Sequence, residues 1–355
     1  MPARFDIRKF ISAAQVGGID CYTLDEGPAR GVRALCVNTG GGLRYRVLAD
    51  RGLDIDQAFH HQHSLTFLSY KGVTPPTRAL DRGLDWLKGF PVGLMTTGGP
   101  FNIGGPCVDQ GEQLGLHGEH SNTAATIESI LQPDPHAGRP QMSITGSIRY
   151  GAFYGPNVQL RRTISSTLGQ NVIHFLDELH NAGNDPVPHA WLLHVNFGYP
   201  LVDQGAEICC NTTRVEPMDN DPSREIFGGG HDWRRISGPL AAHRGQTSAV
   251  GYLFPRPLAR SGDTTVAIVN RKLSLGVAVH YNTGDFPRCG NWQHWGAREY
   301  VTALEPMTGT VDGRDKDRAR GLLRFLEPGQ TKVYRYRLEV VSDRRRIEEL
   351  RKLNR

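Results

Sequence analysis

Three short stretches carry side chains suited to moving protons. In "LLHVNFGYP", His194 and Asn196 stand two apart in an apolar run. Positions i and i+2 of a strand share a face, so His194 and Asn196 point one way and Leu193, Val195 and Phe197 the other. A histidine is the usual proton donor or acceptor near neutral pH, and Asn196 can orient it or bind a hydroxyl. The competing reading is a core histidine with a satisfied hydrogen bond. In "YVTALEPMTG", Tyr300, Thr302 and Leu304 alternate with Val301, Ala303 and Glu305, and Pro306 stops the ladder. A carboxylate at the end of such a strand is expensive to bury, unless it simply reaches solvent. In "LHGEHSNTAA", His117, Glu119, His120, Ser121 and Asn122 crowd together. The first three could ligate a metal, but Gly118 suggests a turn between them. A cluster that binds hydroxyls is expected instead, with no metal.

Two further groups are candidates. Arg51, Asp54 and Asp56 follow the strand-like "YRVLAD", and Lys71 ends the next strand. His60, His61 and His63 look like a metal tract but fall between two strand-like segments, where a surface hairpin turn is expected. Trp292 and Trp295 in "NWQHWG" could stack on a sugar ring through its C–H groups, with core packing as the rival reading. No G-x-S-x-G elbow is present. The thiols lack a nearby basic motif that would mark a nucleophile.

The elements that must hold these groups read as strands. The chain has 355 residues, 38% of them hydrophobic, with 42 Gly and 22 Pro scattered as turn punctuation and little helical periodicity. "TKVYRYRLEVV" alternates Tyr334, Tyr336, Leu338 and Val340 with Arg335, Arg337 and Glu339, the pattern of a half-buried strand. No linker or low-complexity tract divides the chain. One continuous β-rich domain over residues 1–340 is expected, then a basic helix or tail over 341–355 that docks Ile347 and Leu350 on the body. The stretch from Thr96 to Gly118 is too Gly-rich for regular structure and too apolar for disorder, so a functional loop is expected there. It lacks the strand and helix that would frame a dinucleotide fingerprint.

Lys and Arg number 41 against 36 Asp and Glu, and much of the formal +5 sits at the C-terminal end. The aromatics do not interleave with a basic stripe, so no nucleic-acid partner is expected. No apolar run is long enough to span a bilayer, and no signal peptide is evident. Six cysteines without a C-x-x-C pair suit a reduced cytoplasmic protein. Adjacent Cys209 and Cys210 should point to opposite faces, one thiol buried and one at the surface.

Taken in order, "ARGVRALCVNTGGGLRYRVLADRGLDI", "LTFLSYKG", "GLMTTGG", "LGLHGEHSNTAA", "LLHVNFGYP" and "YVTALEPMTG" resemble the aldose 1-epimerase-like proteins, a bacterial branch of the galactose mutarotase-like superfamily. The resemblance runs from about Ala29 to about Val340. It implies an all-β fold: a β-supersandwich of antiparallel sheets with a carbohydrate cleft on one face. In mutarotases a histidine in an N-H-x-x-F-N strand is the general acid, which carries over to His194, with Leu193 and Gly198 in place of the asparagines. A glutamate in an L-E strand is the general base, here Glu305. A histidine in an L-H-G segment holds substrate hydroxyls, here His117. Arg51 and Lys71 are the further substrate-binding candidates, beside Asn196, Asn122, Trp292 and Trp295. The asparagine–arginine motif that precedes L-H-G in mutarotases is absent, and "PFNIGGP" stands there.

The resemblance thus implies anomer interconversion by acid–base catalysis on a monosaccharide, without cofactor. Three alternatives stay open. A lyase or isomerase could act on an oxidised or acidic sugar, which Arg51, Lys71 and Arg298 would favour. A non-catalytic carbohydrate-binding protein would bind without exchanging anomers. A metal-dependent isomerase would lose activity in chelator. An exposed β edge leaves room for a homodimer.

Overall fold

A computed structural model describes residues 5–245 and 247–354. The alternating segments assemble into two large antiparallel sheets. The first has eleven strands. Its path runs Gly18–Thr23, Arg33–Asn38, Leu43–Leu48, Asp54–His60, Met95–Gly98, Leu192–Phe197, Glu299–Met307, Arg288–Gly296, Ala249–Leu253 and Val215–Pro217, with His63–Ser64 folded back on Asp54–His60. The second sheet, of eight strands, runs Thr126–Leu131, Gln141–Gly151, Asn157–Thr167, Val172–Asn181, Thr331–Val341, Leu275–Asn282, Asp263–Asn270 and Glu207–Cys210. Facing sides of the two sheets pack into one main apolar core, with Leu193, Val195 and Phe197 from the first sheet and Tyr334, Tyr336 and Leu338 from the second. This is the β-supersandwich; strands such as Asn157–Thr167 hide alternate residues, whereas the central Leu192–Phe197 is buried on both faces.

A polar pin crosses that core. Arg162, fully buried on the second sheet, donates to Asp177 on the neighbouring strand at 2.7 and 2.8 Å. Its Nη1 reaches the first sheet, donating to Asp54 Oδ1 at 3.2 Å and Thr97 Oγ1 at 3.1 Å. Thr97 pairs with Leu193, so the pin braces the strand that carries His194 from behind. Such a buried charge is tolerable only with partners on all sides.

The helices are short. Arg344–Arg351 buries Ile347 and Leu350 against Cys209, Ala267 and Ala278 on the outer face of the second sheet. That cover corrects one expectation. Cys209 and Cys210 do face opposite ways, but both are buried, Cys210 in the main core and Cys209 beneath this helix. Burial pushes both thiols up to about 12. Beyond the helix, Asn354 accepts from Cys210 N at 2.9 Å and donates to Ile208 O at 3.0 Å, blunting the edge of that strand. No helix among the described residues is long and apolar enough to cross a membrane.

The Thr96–Gly118 stretch also differs from expectation. It contains a small hairpin, Cys107–Asp109 with Glu112–Leu114, among its glycines. The hairpin is regular because Asp109 is clamped by Arg314 at 2.6 Å and by Arg318 at 2.7 and 2.8 Å, from the helix Arg314–Ala319. Nothing local in the sequence advertises that partner. His61 sits in the turn between Asp54–His60 and His63–Ser64 with φ +52°, and His60 Nε2 lies 3.1 Å from Asn171 Nδ2.

Candidate active site

Register brings the two proton-carrying residues together. Val195 pairs with Leu304 and Asn196 with Ala303, so His194 lies directly opposite Glu305 across an antiparallel pair of central strands. Their side chains share the face away from the main core. His194 Nε2 stands 3.4 Å from Glu305 Oε1, long for a hydrogen bond, and both residues are nearly fully buried. Among the described residues, Glu305 Oε1 and His194 Nδ1 have no hydrogen-bond partner. On the far side of Glu305 its cross-strand neighbour is Gly290, where a Cβ would stand 3.1 Å from Glu305 Oε2 and 2.6 Å from Met307 Cε. Glycine there makes room for the carboxyl.

Burial sets the protonation of the pair. It pushes Glu305 up from 4.5 to about 8 and His194 down from 6.5 to about 4. Between those values the carboxyl keeps its proton and the imidazole is neutral. The resting cavity thus holds an acid and a base side by side, with the proton on Glu305. This is the reverse of the expected distribution, in which Glu305 was the base and His194 the charged acid. A dry apolar surround favours two neutral groups over an ion pair.

His117 completes the polar group. It has φ +57°, at the turn into Gly118, and its Nδ1 accepts from Gly104 N at 3.1 Å. Gly104 must be glycine, because a Cβ would meet the Val311 main chain at 2.3 Å. Burial, and then the nearby His194, hold His117 well below the ordinary histidine range, so it is neutral. With Nδ1 accepting, the proton sits on Nε2, which offers a donor. His117 meets His194 edge-on at 5.5 Å between ring centres. Trp292 and Phe90 flank His194 at 5.6 and 5.5 Å.

His117, His194, Trp292 and Glu305 all line one cavity of about 360 Å³, within the range of small-molecule sites. The segment that follows Thr77 closes it from above, bringing Trp86 within 4.8 Å of His117. A larger groove of about 540 Å³ lies on the outer face of the second sheet. One of its lining residues, His280, hydrogen-bonds Glu339 at 2.9 Å and is the first cause holding that carboxylate down to about 2. The smaller cavity is the one with a neutral acid beside a neutral base, the arrangement that proton transfer needs.

The remaining sequence candidates lie elsewhere. Asn196 is fully buried, and its Nδ2 donates to Val92 O at 3.2 Å and His194 O at 2.9 Å. It is not among the cavity's lining residues, and its side chain favours the charged form of His194. Arg51 is buried with its guanidinium on the main-chain carbonyls of Ser121, Thr74 and Gly89 at 2.5, 2.9 and 2.9 Å. Asn122 binds Thr77 N at 3.0 Å and Asp81 Oδ1 at 3.1 Å. These two tether the closing segment, which carries Trp86, and do not line the cavity. Lys71 is exposed and Arg298 lies in the turn after Gly296, both outside it. Trp295 is buried in the main core with its indole N–H on Gln293 Oε1 at 3.1 Å. Three residues apart in a strand, Trp292 and Trp295 must face opposite ways, so only Trp292 reaches the cavity. Sequence reasoning missed Trp86, Phe90 and Asn220, which line it. Trp86 and Phe90 lie in "LDWLKGF", whose aromatic density was the available signal. Among the described residues no cluster of three His, Cys, Asp or Glu side chains is placed to hold a metal.

The two facing sheets define a galactose mutarotase-like fold. The solved structures agree. A provisionally named aldose 1-epimerase from Klebsiella pneumoniae superposes with a TM-score of 0.84 at 21% identity, over 94% of this chain and 86% of that one. A galactose mutarotase-like protein from Clostridium acetobutylicum gives 0.63 at 10% identity, over 92% and 99%. A galactose 1-epimerase from Lactobacillus acidophilus gives 0.55 at 10% identity, over 91% and 98%. At these identities the likeness establishes the fold. The chain belongs to the family described as a domain of unknown function, DUF4432, whose model matches residues 29–340. No curated protein matches the sequence.

Proposed function

We infer that the protein is a carbohydrate mutarotase, exchanging the α and β anomers of an uncharged sugar by acid–base catalysis. The observation that carries this reading is the buried His194–Glu305 pair, 3.4 Å apart in a cavity with His117 and Trp292. Anomer exchange requires a proton off the anomeric hydroxyl and a proton onto the ring oxygen. Neutral His194 takes the O1 proton while the Glu305 carboxyl gives its proton to O5. The C1–O5 bond breaks to an open-chain aldehyde, leaving His194 charged and Glu305 ionised. Rotation about C1–C2 turns the other face of the carbonyl to O5. Glu305 then takes back the O5 proton as O5 attacks C1, and His194 returns its proton to O1. Both groups end as they began, and no redox partner or cofactor enters the balance.

The supporting groups fit this task. His117 Nε2–H is a hydroxyl donor, and the Trp292 face suits the C–H side of a pyranose. The solved relatives bearing epimerase or mutarotase names add a fold-level analogy. Among the described residues, those that line the cavity include neither Arg nor Lys, which argues for an uncharged sugar over a sugar acid. The test is polarimetry on a freshly dissolved pure anomer of a sugar that the protein turns over. His194→Asn and Glu305→Gln should each slow catalysed exchange by at least about a hundredfold, the lower reach of general acid–base effects. Full turnover by either variant would remove the pair from the mechanism.

A further inference from the structure

The cavity carries two polar groups well away from the acid–base pair, Ser248 and Asn220, and their neighbours fix what each can offer. Ser248 Oγ lies 3.1 Å from His294 Nδ1, and His294 Nε2 lies 3.2 Å from Glu299 Oε2. The exposed Glu299 carboxylate can only accept, so neutral His294 carries its proton on Nε2 and its Nδ1 accepts from the Ser248 hydroxyl. The Ser248 oxygen is left as an acceptor. Asn220 Oδ1 accepts from Ser223 N at 2.8 Å and caps the helix Asp221–Phe227. That cap orients the amide and leaves its Nδ2 hydrogens as donors.

The register sets this pair too far from the reacting carbon for one sugar ring to reach both. Gly290 stands opposite Glu305, and His294 is four residues along from Gly290. Ala249 pairs with Gln293, so Ser248 lies beside His294, two strands over from Glu305. With strands about 4.8 Å apart and a rise of roughly 3.4 Å per residue, the main chains of Ser248 and Glu305 are on the order of 16 Å apart. Asn220 follows the edge strand Val215–Pro217, one strand farther out, where Met218 N donates to Val250 O at 2.9 Å. Trp292 stands between, its ring centre 5.6 Å from that of His194 and 6.4 Å from that of His294. A pyranose with C1 at Glu305 ends over Trp292, whereas a second ring joined to it arrives at Ser248 and Asn220.

We propose that the cavity takes the reducing end of a disaccharide or longer oligosaccharide. The reducing ring lies at His194 and Glu305. The next ring passes Trp292, gives a hydroxyl proton to Ser248 Oγ and accepts from Asn220 Nδ2. This rests on the mutarotase reading for the placement of the reducing carbon. It names a substrate class and two specificity-determining residues.

The experiment compares each reducing aldose with disaccharides that end in it: D-glucose with cellobiose, maltose and gentiobiose, D-galactose with galactobiose, and D-mannose with mannobiose. Anomer exchange is read by saturation-transfer NMR, and binding by line broadening of the same signals. For the preferred reducing ring, kcat/KM for one disaccharide should exceed that of the free aldose by about tenfold or more. Ser248→Ala removes the acceptor. Asn220→Asp keeps an oxygen to cap the helix and removes the donor. Each should narrow that ratio by about threefold or more. The benzyl ether of the same aldose at the same oxygen supplies bulk without hydroxyls and should fall short of the disaccharide. A benzyl ether that matches it, or a ratio unchanged in both variants, would overturn the reading of a second sugar by this pair. Equal or faster exchange of the free aldoses would overturn the proposal and leave the mutarotase reading intact. A disaccharide that binds more tightly than its aldose without exchange would overturn the mutarotase reading and keep the second-ring seat. Neither binding nor exchange by any of these sugars would overturn both.

Discussion

Replacing Glu305 by glutamine should stabilise the protein, and by an amount that depends on pH in a defined way. Burial raises the carboxyl from 4.5 in the unfolded chain to about 8 in the folded one. A raised pKa means that the folded state holds the proton more tightly, so its stabilising effect is complete below pH 4.5 and is lost as pH rises through about 8. Each unit of that interval is worth about 1.4 kcal/mol, which makes the full loss roughly 5 kcal/mol as an upper figure. Glutamine has nearly the same shape and never ionises. The variant should match the natural protein at pH 4.5 and exceed it by a few kcal/mol at pH 8. Other titrating groups are common to both proteins and cancel in the difference. Urea unfolding at the two pH values, with the midpoint shift converted through a shared slope, measures it. The same stability difference at both values, or a variant less stable at the higher one, would refute the claim that Glu305 is buried as a neutral acid.

Three more outcomes follow from the same geometry. The rate of anomer exchange should be bell-shaped in pH, falling below about 4 as His194 gains a proton and above about 8 as Glu305 loses one. A rate flat across that interval and beyond it would contradict the pair. The two tryptophans should separate cleanly. Trp295→Ala should cost about 3–5 kcal/mol of stability by opening the core, whereas Trp292→Ala should raise KM with a smaller loss in thermal denaturation. Arg162→Ala should destabilise by about 3–5 kcal/mol, because it strands Asp177 and Asp54 without their shared cation. Chemical denaturation of that variant checks it.

Much of the fold was legible because β periodicity is local. The alternation in "TKVYRYRLEVV" and the shared face of His194 and Asn196 need only a period of two. Both His194 and Glu305 stood out as polar groups in apolar strands. What the sequence does not carry is register between strands more than a hundred positions apart, which alone sets Glu305 opposite His194. Trp292 and Trp295 were grouped although the same period separates them, and strict use of it would have kept only one of the two. Arg51 was named as a ligand contact from the resemblance, and Asn122 from a polar cluster expected to bind hydroxyls. The partners proved to be protein groups, mostly main-chain carbonyls and an amide of neighbouring loops, with Asp81 Oδ1 for Asn122, which no pattern along the chain reveals. Cys209 became buried only through the helix Arg344–Arg351, docked from more than a hundred residues away.

The most direct single measurement is saturation-transfer NMR at the anomeric protons of an uncharged-sugar panel, with the natural protein and with Glu305→Gln. The account predicts exchange of magnetisation between α and β signals beyond the uncatalysed rate for at least one sugar, lost in the variant. Exchange that survives the variant, or a sugar that binds in the cavity and never exchanges, would contradict it.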